Sequence, residues 1–154
     1  MGIYRLQAGD ICVREVVFAY RSLPIDDAAR LMREHHVGTV VVVDEMALGR
    51  VVAGVLTDRD IVTAVVAKGL DPSTLRVEDA MSTDLVLARE GDSLMDLLGL
   101  MRRKGVRRLP VADVRGLLVG LVSLDDVLEV IAQQLDGLVG AMRSGREREP
   151  ERRP

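Results

Sequence analysis

The sequence predicts an α/β fold of the α+β type, with two pseudo-symmetric βαββα lobes packed sheet to sheet. Two observations predict it: the chain contains an internal repeat, and each copy alternates short β-rich runs with amphipathic helical stretches. Because a lobe with few strands leaves apolar sheet surface uncovered, we expect the two lobes to form one compact body. The repeated positions are residues 31–33 with 100–102, Val37 with Val106, Val42 with Val111, Asp44 with Asp113, Gly54 with Gly120, Thr57 with Ser123, and Asp60 with Asp126.

The elements of the first copy follow from its periodicity. Residues 16–20, VVFAY, form a β-rich stretch, and the run VGTVVVVD has the length and β-branched composition of a buried strand. RVVAGVLT predicts the next strand, and DRDIVTAVVAK predicts a helix after it. The apolar stripes are Ile25, Ala28, Ala29 and Met32 in the first helix, and Ile61, Ala64 and Val65 in the second.

The second copy repeats this order. LVLARE, RLPVAD and GLLVGLVS predict its strands, and a last helix begins at Leu124. The segment between the copies, KGLDPSTLRVEDAMST, combines a Gly stop, a Pro turn and a short polar-capped stretch, so the boundary is placed there. We expect a first domain at residues 10–70, a second at residues 71–136, and a helix end with a disordered charged tail at residues 137–154.

Composition restricts the class of protein. With 154 residues and 48% hydrophobic content the chain can bury a core, but one Phe, two Tyr and no Trp do not provide the aromatic platforms of single-stranded nucleic acid binders. A net charge of −3 gives no general attraction to nucleic acid or anionic membranes. No membrane span or signal peptide is recognisable and Cys12 is the single cysteine, so we expect a cytoplasmic protein without an intrachain disulfide.

The last helix carries an apolar heptad stripe. Its members alternate steps of four and three residues over about two and a half repeats. Two interpretations remain open: the stripe packs on its own lobe, or it forms the contact of a homodimer. The stripe consists of Leu124, Leu128, Ile131, Leu135, Leu138 and Met142.

The repeated motifs GVLTDRD and GLVSLDD pair a hydroxyl residue with an aspartate three residues later. In a capping box, Thr57 or Ser123 accepts a hydrogen bond from an orphan N–H, and Asp60 or Asp126 reaches back to the cap residue. The same residues suit a nucleotide, because a carboxylate can accept two ribose hydroxyls and a hydroxyl residue can contact ribose or phosphate. The glycine lets another group approach the strand backbone closely. Recurrence at equivalent positions favours a paired ligand site.

These segments resemble a tandem pair of cystathionine-β-synthase (CBS) domains, called a Bateman module, of the stand-alone type. The resemblance is carried by GVLTDRDI and GLVSLDDV, by LMREHHVGTVVVVD and LMRRKGVRRLPVAD, and by VEDAMS. It implies a non-catalytic sensor that binds AMP, ATP, NAD(H) or S-adenosylmethionine in a cleft between the lobes and acts on an unknown partner protein. It also implies that Asp60 and Asp126 bind ribose, and that Thr57 and Ser123 contact ribose or phosphate.

The two copies depart from the family pattern in different ways. Arg59 lies within TDRD, where a cation suits a phosphate, whereas SLDD has no cation and has the additional carboxylate of Asp125. We therefore expect unequal sites. The cleft at Thr57 and Asp60 is expected to take a charged nucleotide, and the other cleft a neutral adenosyl group or nothing.

A basic cluster, consisting of Arg102, Arg103, Lys104, Arg107 and Arg108, has three interpretations. Cations stabilise the negative end of a helix, so the cluster can be a solvated helix terminus. Arg107 and Arg108 can instead contact a phosphate in the cleft. Weak nucleic acid binding is the third interpretation, and it would depend steeply on salt.

Neither catalysis nor a metal site is expected. His35 and His36 are adjacent on a helix, so their side chains diverge by about 100° and do not chelate one metal. No nucleophile and base set and no phosphate-binding P-loop are present. The alternative to a nucleotide sensor is a structural interaction module in which both repeated motifs are only helix caps.

Overall fold

The first half of the chain forms a three-stranded sheet with helices on one face. The computed structural model describes residues 5–152, except for the side chains of residues 147–152. The central strand of this sheet pairs in parallel with the first strand and antiparallel with the third. The elements are α1 (Ala8–Ile11), β1 (Phe18–Tyr20), α2 (Ile25–His35), β2 (Thr39–Met46), β3 (Gly49–Thr57), α3 (Asp58–Ile61), which continues as a π-helical segment (Val62–Val66), and α4 (Val77–Ala80).

The second half repeats the arrangement. Its sheet has the order β4-β5-β6, with β4 parallel and β6 antiparallel to the central strand. The elements are β4 (Ala88–Arg89), α5 (Leu94–Lys104), β5 (Arg108–Ala112), β6 (Leu118–Ser123) and α6 (Leu124–Arg152). We call the β1–β3 sheet with its helices the first lobe, and the β4–β6 sheet with its helices the second lobe. The βαββα order that the sequence predicts is confirmed in both, although β4 is shorter than the LVLARE run.

Four consecutive valines of β2 are completely buried. Val40 and Val42 belong to the core beneath α2, whereas Val41 and Val43 belong to another cluster on the opposite face of the sheet. Leu118 of β6 packs against this second cluster, so it lies between the two sheets. Successive strand residues point to opposite faces, so a strand with a helix on one side and a sheet on the other must be apolar throughout. The predicted packing of sheet on sheet is confirmed.

Helix α2 buries a narrower stripe than the sequence predicts. Ile25, Ala28 and Met32 are buried as expected, but Ala29 is exposed. At 100° per residue, Ala29 lies about 70° from the centre of the stripe formed by the other three side chains. A three-stranded sheet does not extend far enough to cover that position, so the prediction for Ala29 was wrong.

Two short helices pack on the lobe that is more distant in the chain. Helix α1 precedes the first sheet but packs on the second lobe, and α4 precedes the second sheet but packs on the first lobe. In α1, the Ala8 N–H donates to the Asp92 carbonyl at 2.8 Å, and Ala8 is buried in the core of the second lobe. In α4, the Val77 N–H donates to the Leu23 carbonyl at 2.8 Å, and Val77 is buried in the core of the first lobe. A linear boundary near residue 70 therefore does not separate the two cores, because each half of the chain contributes a helix to the other.

The glycines of the two repeated motifs, Gly54 and Gly120, leave room for the backbone that adjoins these exchanged helices. A Cβ at Gly54 of β3 would lie 2.5 Å from the Ser82 carbonyl oxygen. A Cβ at Gly120 of β6 would lie 2.7 Å from both the Val13 carbonyl oxygen and Cys12 Sγ. The sequence predicts that some group approaches the strand backbone at these glycines, and that group is the backbone of the neighbouring segment.

Helix α6 packs on its own lobe only near its start. Val127 is buried in the second core and Ile131 packs against that core, whereas residues 132–146 are exposed. Leu135 and Leu138 keep 56% and 59% of their surface exposed. The first part of the heptad stripe therefore covers the lobe, and the second part lies free of it in the described chain.

The helix continues through Arg152, whereas the sequence predicts disorder from about residue 143. Arg and Glu, which dominate this end of the chain, are favourable helix formers, so an existing helix can propagate through them. Residues 153 and 154 of the expected tail lie outside the described residues. No helix within residues 5–152 combines the length and the apolar character that crossing a bilayer requires.

Candidate functional site

Both repeated motifs form complete capping boxes. The Asp60 N–H donates to Thr57 Oγ1 at 3.1 Å, and the Thr57 N–H donates to Asp60 Oδ2 at 2.9 Å. The Asp126 N–H donates to Ser123 Oγ at 3.1 Å, and the Ser123 N–H donates to Asp126 Oδ2 at 3.0 Å. The capping interpretation is thus confirmed in both copies. Asp60 uses one carboxylate oxygen for the cap, and Oδ1 accepts no hydrogen bond from the described part of the chain.

The first motif also lines a cleft between the lobes, which we call the first cleft. Its volume is about 610 Å³. The first lobe contributes the end of β3 and the start of α3, and the second lobe contributes the loop that leads from α5 into β5. The lining residues are Gly38, Thr39, Val55, Thr57, Asp58, Arg59, Asp60, Ser82, Asp84, Val86, Gly105, Val106, Arg107 and Arg108.

Equivalent backbone contacts hold this region of the two lobes. The Asp58 N–H donates to the Gly38 carbonyl at 2.9 Å, and the Leu124 N–H donates to the Arg107 carbonyl at 2.8 Å. Gly38 and Arg107 therefore occupy the same place in their lobes. The first lobe has a small residue, Gly38, at the position where the second lobe has a cation, Arg107. The two sides of the first cleft therefore differ from each other in side-chain size and in charge.

A second cleft lies beside the Ser123 motif and has a volume of about 250 Å³. Arg108 and Thr39 line both clefts. The lining of the second cleft is mainly apolar and consists of Val13, Glu15, Val16, Val17, Val37, Thr39, Arg108, Leu121, Ser123 and Asp126. The two clefts are unequal in size and in charge.

The duplicated lobes, their exchanged helices and the paired clefts can be compared with known families. The CBS domain family model matches residues 8–67 and 77–133. The chain belongs to the CBS domain family. Each matched segment contains the sheet of one lobe, together with the short helix that packs on the other lobe.

Two curated proteins and one solved structure are similar to this tandem pair over most of its length. The CBS domain-containing protein YhcV of Bacillus subtilis is 39% identical over 118 residues, which are 77% of this chain and 80% of that protein. The uncharacterized protein MK0525 of Methanopyrus kandleri is 34% identical over 125 residues, and this chain spans 62% of its length. The crystal structure of the cytosolic domain of the Mg²⁺ channel MgtE in complex with ATP superimposes with a TM-score of 0.68 at 29% identity, covering 80% of this chain and 48% of that chain.

The CBS pair divides the seven residues that the sequence predicts as ligand contacts between its two clefts. Ser123 and Asp126 line the second cleft. Arg108 lines both clefts. The residues that line the first cleft are Thr57, Arg59, Asp60, Arg107 and Arg108.

Two of the three interpretations of the basic cluster apply, each to different members. Arg102, Arg103 and Lys104 lie in the last turn of α5, where cations stabilise the helix end. Arg107 and Arg108 follow the helix and line the first cleft. The cluster therefore combines a helix terminus with part of the lining of the first cleft.

Three arginines and three aspartates line the first cleft: Arg59, Arg107, Arg108, Asp58, Asp60 and Asp84. None of these six side chains forms an ion pair within the described chain. The three guanidinium groups are exposed in the cleft, so they remain able to bind an anionic ligand through charge-assisted hydrogen bonds.

Sequence reasoning missed Gly38, Asp58 and Asp84 as lining residues. A Cβ at Gly38 would lie 2.9 Å from Asp58 Oδ2, so the glycine makes room for that carboxylate. In the repeat, Gly38 aligns with Arg107, which the sequence already offers as a cleft residue. This alignment could have identified Gly38 and its neighbour Asp58 as lining residues. Asp84 lies within the second matched segment but belongs to neither repeated motif, so only the packing of the lobes places it in the cleft.

The thiol of Cys12 is partly buried and is not placed for catalysis. Burial raises the pKa of its thiol, and Sγ lies 3.8 Å from the Gly9 carbonyl oxygen. A raised pKa keeps the thiol protonated at neutral pH, so Cys12 is a poor nucleophile. Within residues 5–152, no group of three or more His, Cys, Asp or Glu side chains is arranged to hold a metal ion.

Thr57→Ala is expected to lower the free energy of unfolding by about 1 kcal/mol, because it removes the acceptor for the Asp60 N–H. Urea denaturation measures the change. Thr57→Ser is the matched control, since it keeps the hydroxyl, and it should lose much less. Equal losses in the two variants would show that the methyl group and not the cap carries the effect.

Proposed function

We propose that this CBS pair is a regulatory module that binds an adenosine-containing ligand, such as AMP, ATP, NAD(H) or S-adenosylmethionine, in the first cleft. One observation carries the proposal: Thr57 and Asp60 of one lobe and Arg107 and Arg108 of the other meet at a single cavity that also contains Arg59. Its volume of about 610 Å³ is in the range of small-molecule sites.

Each lining group has a role that its chemistry supports. Asp60 Oδ1, which the capping box leaves without a donor in the described chain, accepts the ribose hydroxyls. Thr57 Oγ1 accepts the Asp60 N–H and can still donate its own proton to ribose or phosphate. Arg59, Arg107 and Arg108 bind the phosphates through their planar guanidinium groups.

The similarity to the MgtE cytosolic domain, which was crystallised in complex with ATP, supports this class of ligand. The second cleft is smaller, and within its lining Arg108 is the single cation. It therefore suits a neutral adenosyl group or no ligand. Binding in the first cleft is transmitted to a partner protein.

Calorimetric titration with AMP, ATP, NADH and S-adenosylmethionine tests the proposal. At least one of the four is expected to bind with one dominant site per chain, because the clefts are unequal. A folded protein that binds none of them would contradict the proposed function. Two equal sites per chain would contradict the assignment of the charged nucleotide to the first cleft.

The complete capping boxes favour one alternative, an interaction module that has no nucleotide. Both motifs have a structural role that needs no ligand. Thermal melting with and without nucleotide separates the two functions, because a ligand at 100 times its Kd adds about 2.7 kcal/mol to the free energy of unfolding. An unchanged melting temperature with all four nucleotides would favour the interaction module.

A further inference from the structure

Arg108 and Thr39 occupy equivalent places in the two lobes, at the start of the central strand of each sheet. Arg108 is the partner of Ser123 across β5 and β6. Thr39 is the partner of Thr57 across β2 and β3. Side chains that are directly paired in antiparallel strands lie on the same face of the sheet, about 5 Å apart at Cβ. One motif hydroxyl therefore has a cation beside it, and the other has a second hydroxyl.

Both of these side chains line both clefts, but they differ in their freedom to move. Arg108 is exposed, and it forms no ion pair with the described part of the chain. Its guanidinium group therefore keeps the rotamer freedom of a long unpaired side chain. Thr39 is short and only 8% exposed, so it stays in place. Among the charged residues that line the two clefts, Arg108 is the one that they share.

The two clefts differ in the charge that remains when Arg108 turns away from them. The first cleft keeps the cations Arg59 and Arg107. The charged side chains that remain in the lining of the second cleft are two carboxylates, Glu15 and Asp126. Because like charges repel, these carboxylates disfavour an anionic ligand. The second cleft is therefore suited to a phosphate only while Arg108 points into it.

We propose that Arg108 is a cation shared by the two clefts, and that a phosphate in the first cleft excludes an anionic ligand from the second by holding Arg108. The proposal rests on the proposed nucleotide binding, since the nucleotide supplies that phosphate. Contacts between a guanidinium group and a phosphate are frequently bidentate, which fixes the orientation of the side chain. With the first cleft filled, the second cleft accepts an uncharged ligand and rejects a phosphate.

A double-mutant cycle tests whether Arg108 is shared. The probe is whichever of AMP, ATP and NADH binds most tightly in calorimetric titration, since all three carry phosphate. Glu15→Gln removes a carboxylate of the second cleft that attracts Arg108. It should therefore tighten binding in the first cleft by about 1.5-fold to fivefold, the effect of an exposed ion pair. In an Arg108→Gln background the same change should have no effect.

The matched control for this cycle is Glu129→Gln. It removes the same charge from an exposed side chain outside the lining of both clefts, so it should leave the affinity unchanged. Equal tightening by Glu15→Gln with and without Arg108 would overturn the proposal, because Glu15 would then repel the phosphate directly. No tightening in the chain that has Arg108 would overturn it as well.

A thiol in the second cleft detects the movement of Arg108 directly. In a Cys12→Ser background, Ser123→Cys places a thiol beside Arg108. The rate of alkylation by iodoacetamide as a function of pH gives the apparent pKa of this thiol, because the thiolate is the reactive form. Saturation with the same nucleotide is expected to raise that pKa by about one pH unit, since a nearby cation is withdrawn. With Arg108→Gln added, the pKa should already be raised, and the nucleotide should not change it.

The outcomes separate this proposal from the proposed function. A bound nucleotide that leaves the thiol pKa unchanged would overturn the sharing of Arg108 alone. A lower alkylation rate at every pH, without a shift in pKa, would show that the nucleotide occupies the second cleft and would also overturn it. Binding of S-adenosylmethionine but of no phosphate ligand would refute this proposal and leave the proposed function standing. Thermal melting of each variant shows that the lobes are folded.

Discussion

Asp60→Ala is expected to weaken the binding of AMP by about tenfold to a hundredfold, because a hydrogen bond to a charged acceptor contributes about 1.5–3 kcal/mol. Asp60 lines the larger cleft together with three arginines, and its Oδ1 has no donor in the described chain. Calorimetric titration of the variant and of the unmodified protein measures the change.

Asp126→Ala is the matched control. Asp126 occupies the equivalent place in the second copy and makes the same pair of capping hydrogen bonds, so both variants lose a cap of the same kind. The loss of stability should be similar in the two variants, whereas AMP binding should fall much less in Asp126→Ala. Equal losses of affinity would contradict the unequal sites.

Gly54→Ala is expected to lower the free energy of unfolding by about 1–3 kcal/mol or more, because overpacking a well-packed site costs that much. A Cβ at Gly54 would lie 2.5 Å from the Ser82 carbonyl oxygen, which belongs to the backbone and cannot rotate away. The Val55 N–H donates to the Ser82 carbonyl at 3.3 Å, and the Ser82 N–H donates to the Val55 carbonyl at 2.9 Å, so moving the Ser82 segment away from β3 would also weaken these bonds.

Gly91→Ala is the control for the general effect of adding a methyl group to a glycine. No atom lies within 4 Å of its Cβ position, so it should be neutral or slightly stabilising. Urea denaturation of both variants gives the comparison. A Gly54→Ala protein as stable as Gly91→Ala would show that the segment 77–82 does not pack against β3 in solution.

The order of elements could be predicted from the sequence because it depends on local periodicity. The run of valines in β2 predicts a strand, and the apolar stripe of α2 predicts a helix. Both predictions need only residues that are close together in the chain. The exposure of Ala29 could not be predicted in this way. Its burial depends on the width of the sheet beneath the helix, which periodicity does not encode.

The candidate site was partly predictable for the same reason. Thr57 and Asp60 share a local motif, so their proximity follows from the start of α3. Arg107 belongs to the other lobe, and its place in the cleft was one of three interpretations of a basic cluster. Asp84 was missed because no local pattern connects it with the motif.

The sequence by itself determined the duplication, because the order of residues repeats along the chain. It also determined the two capping boxes and the difference between TDRD and SLDD, since each of these lies within a few consecutive residues. Only the tertiary structure decided that α1 and α4 exchange lobes, that Gly54 and Gly120 admit a neighbouring backbone, and that the end of α6 lies free. These features depend on contacts between residues that are distant in the chain. Such contacts are set by which surfaces are left uncovered after the local elements form, and no local pattern in the sequence reveals them.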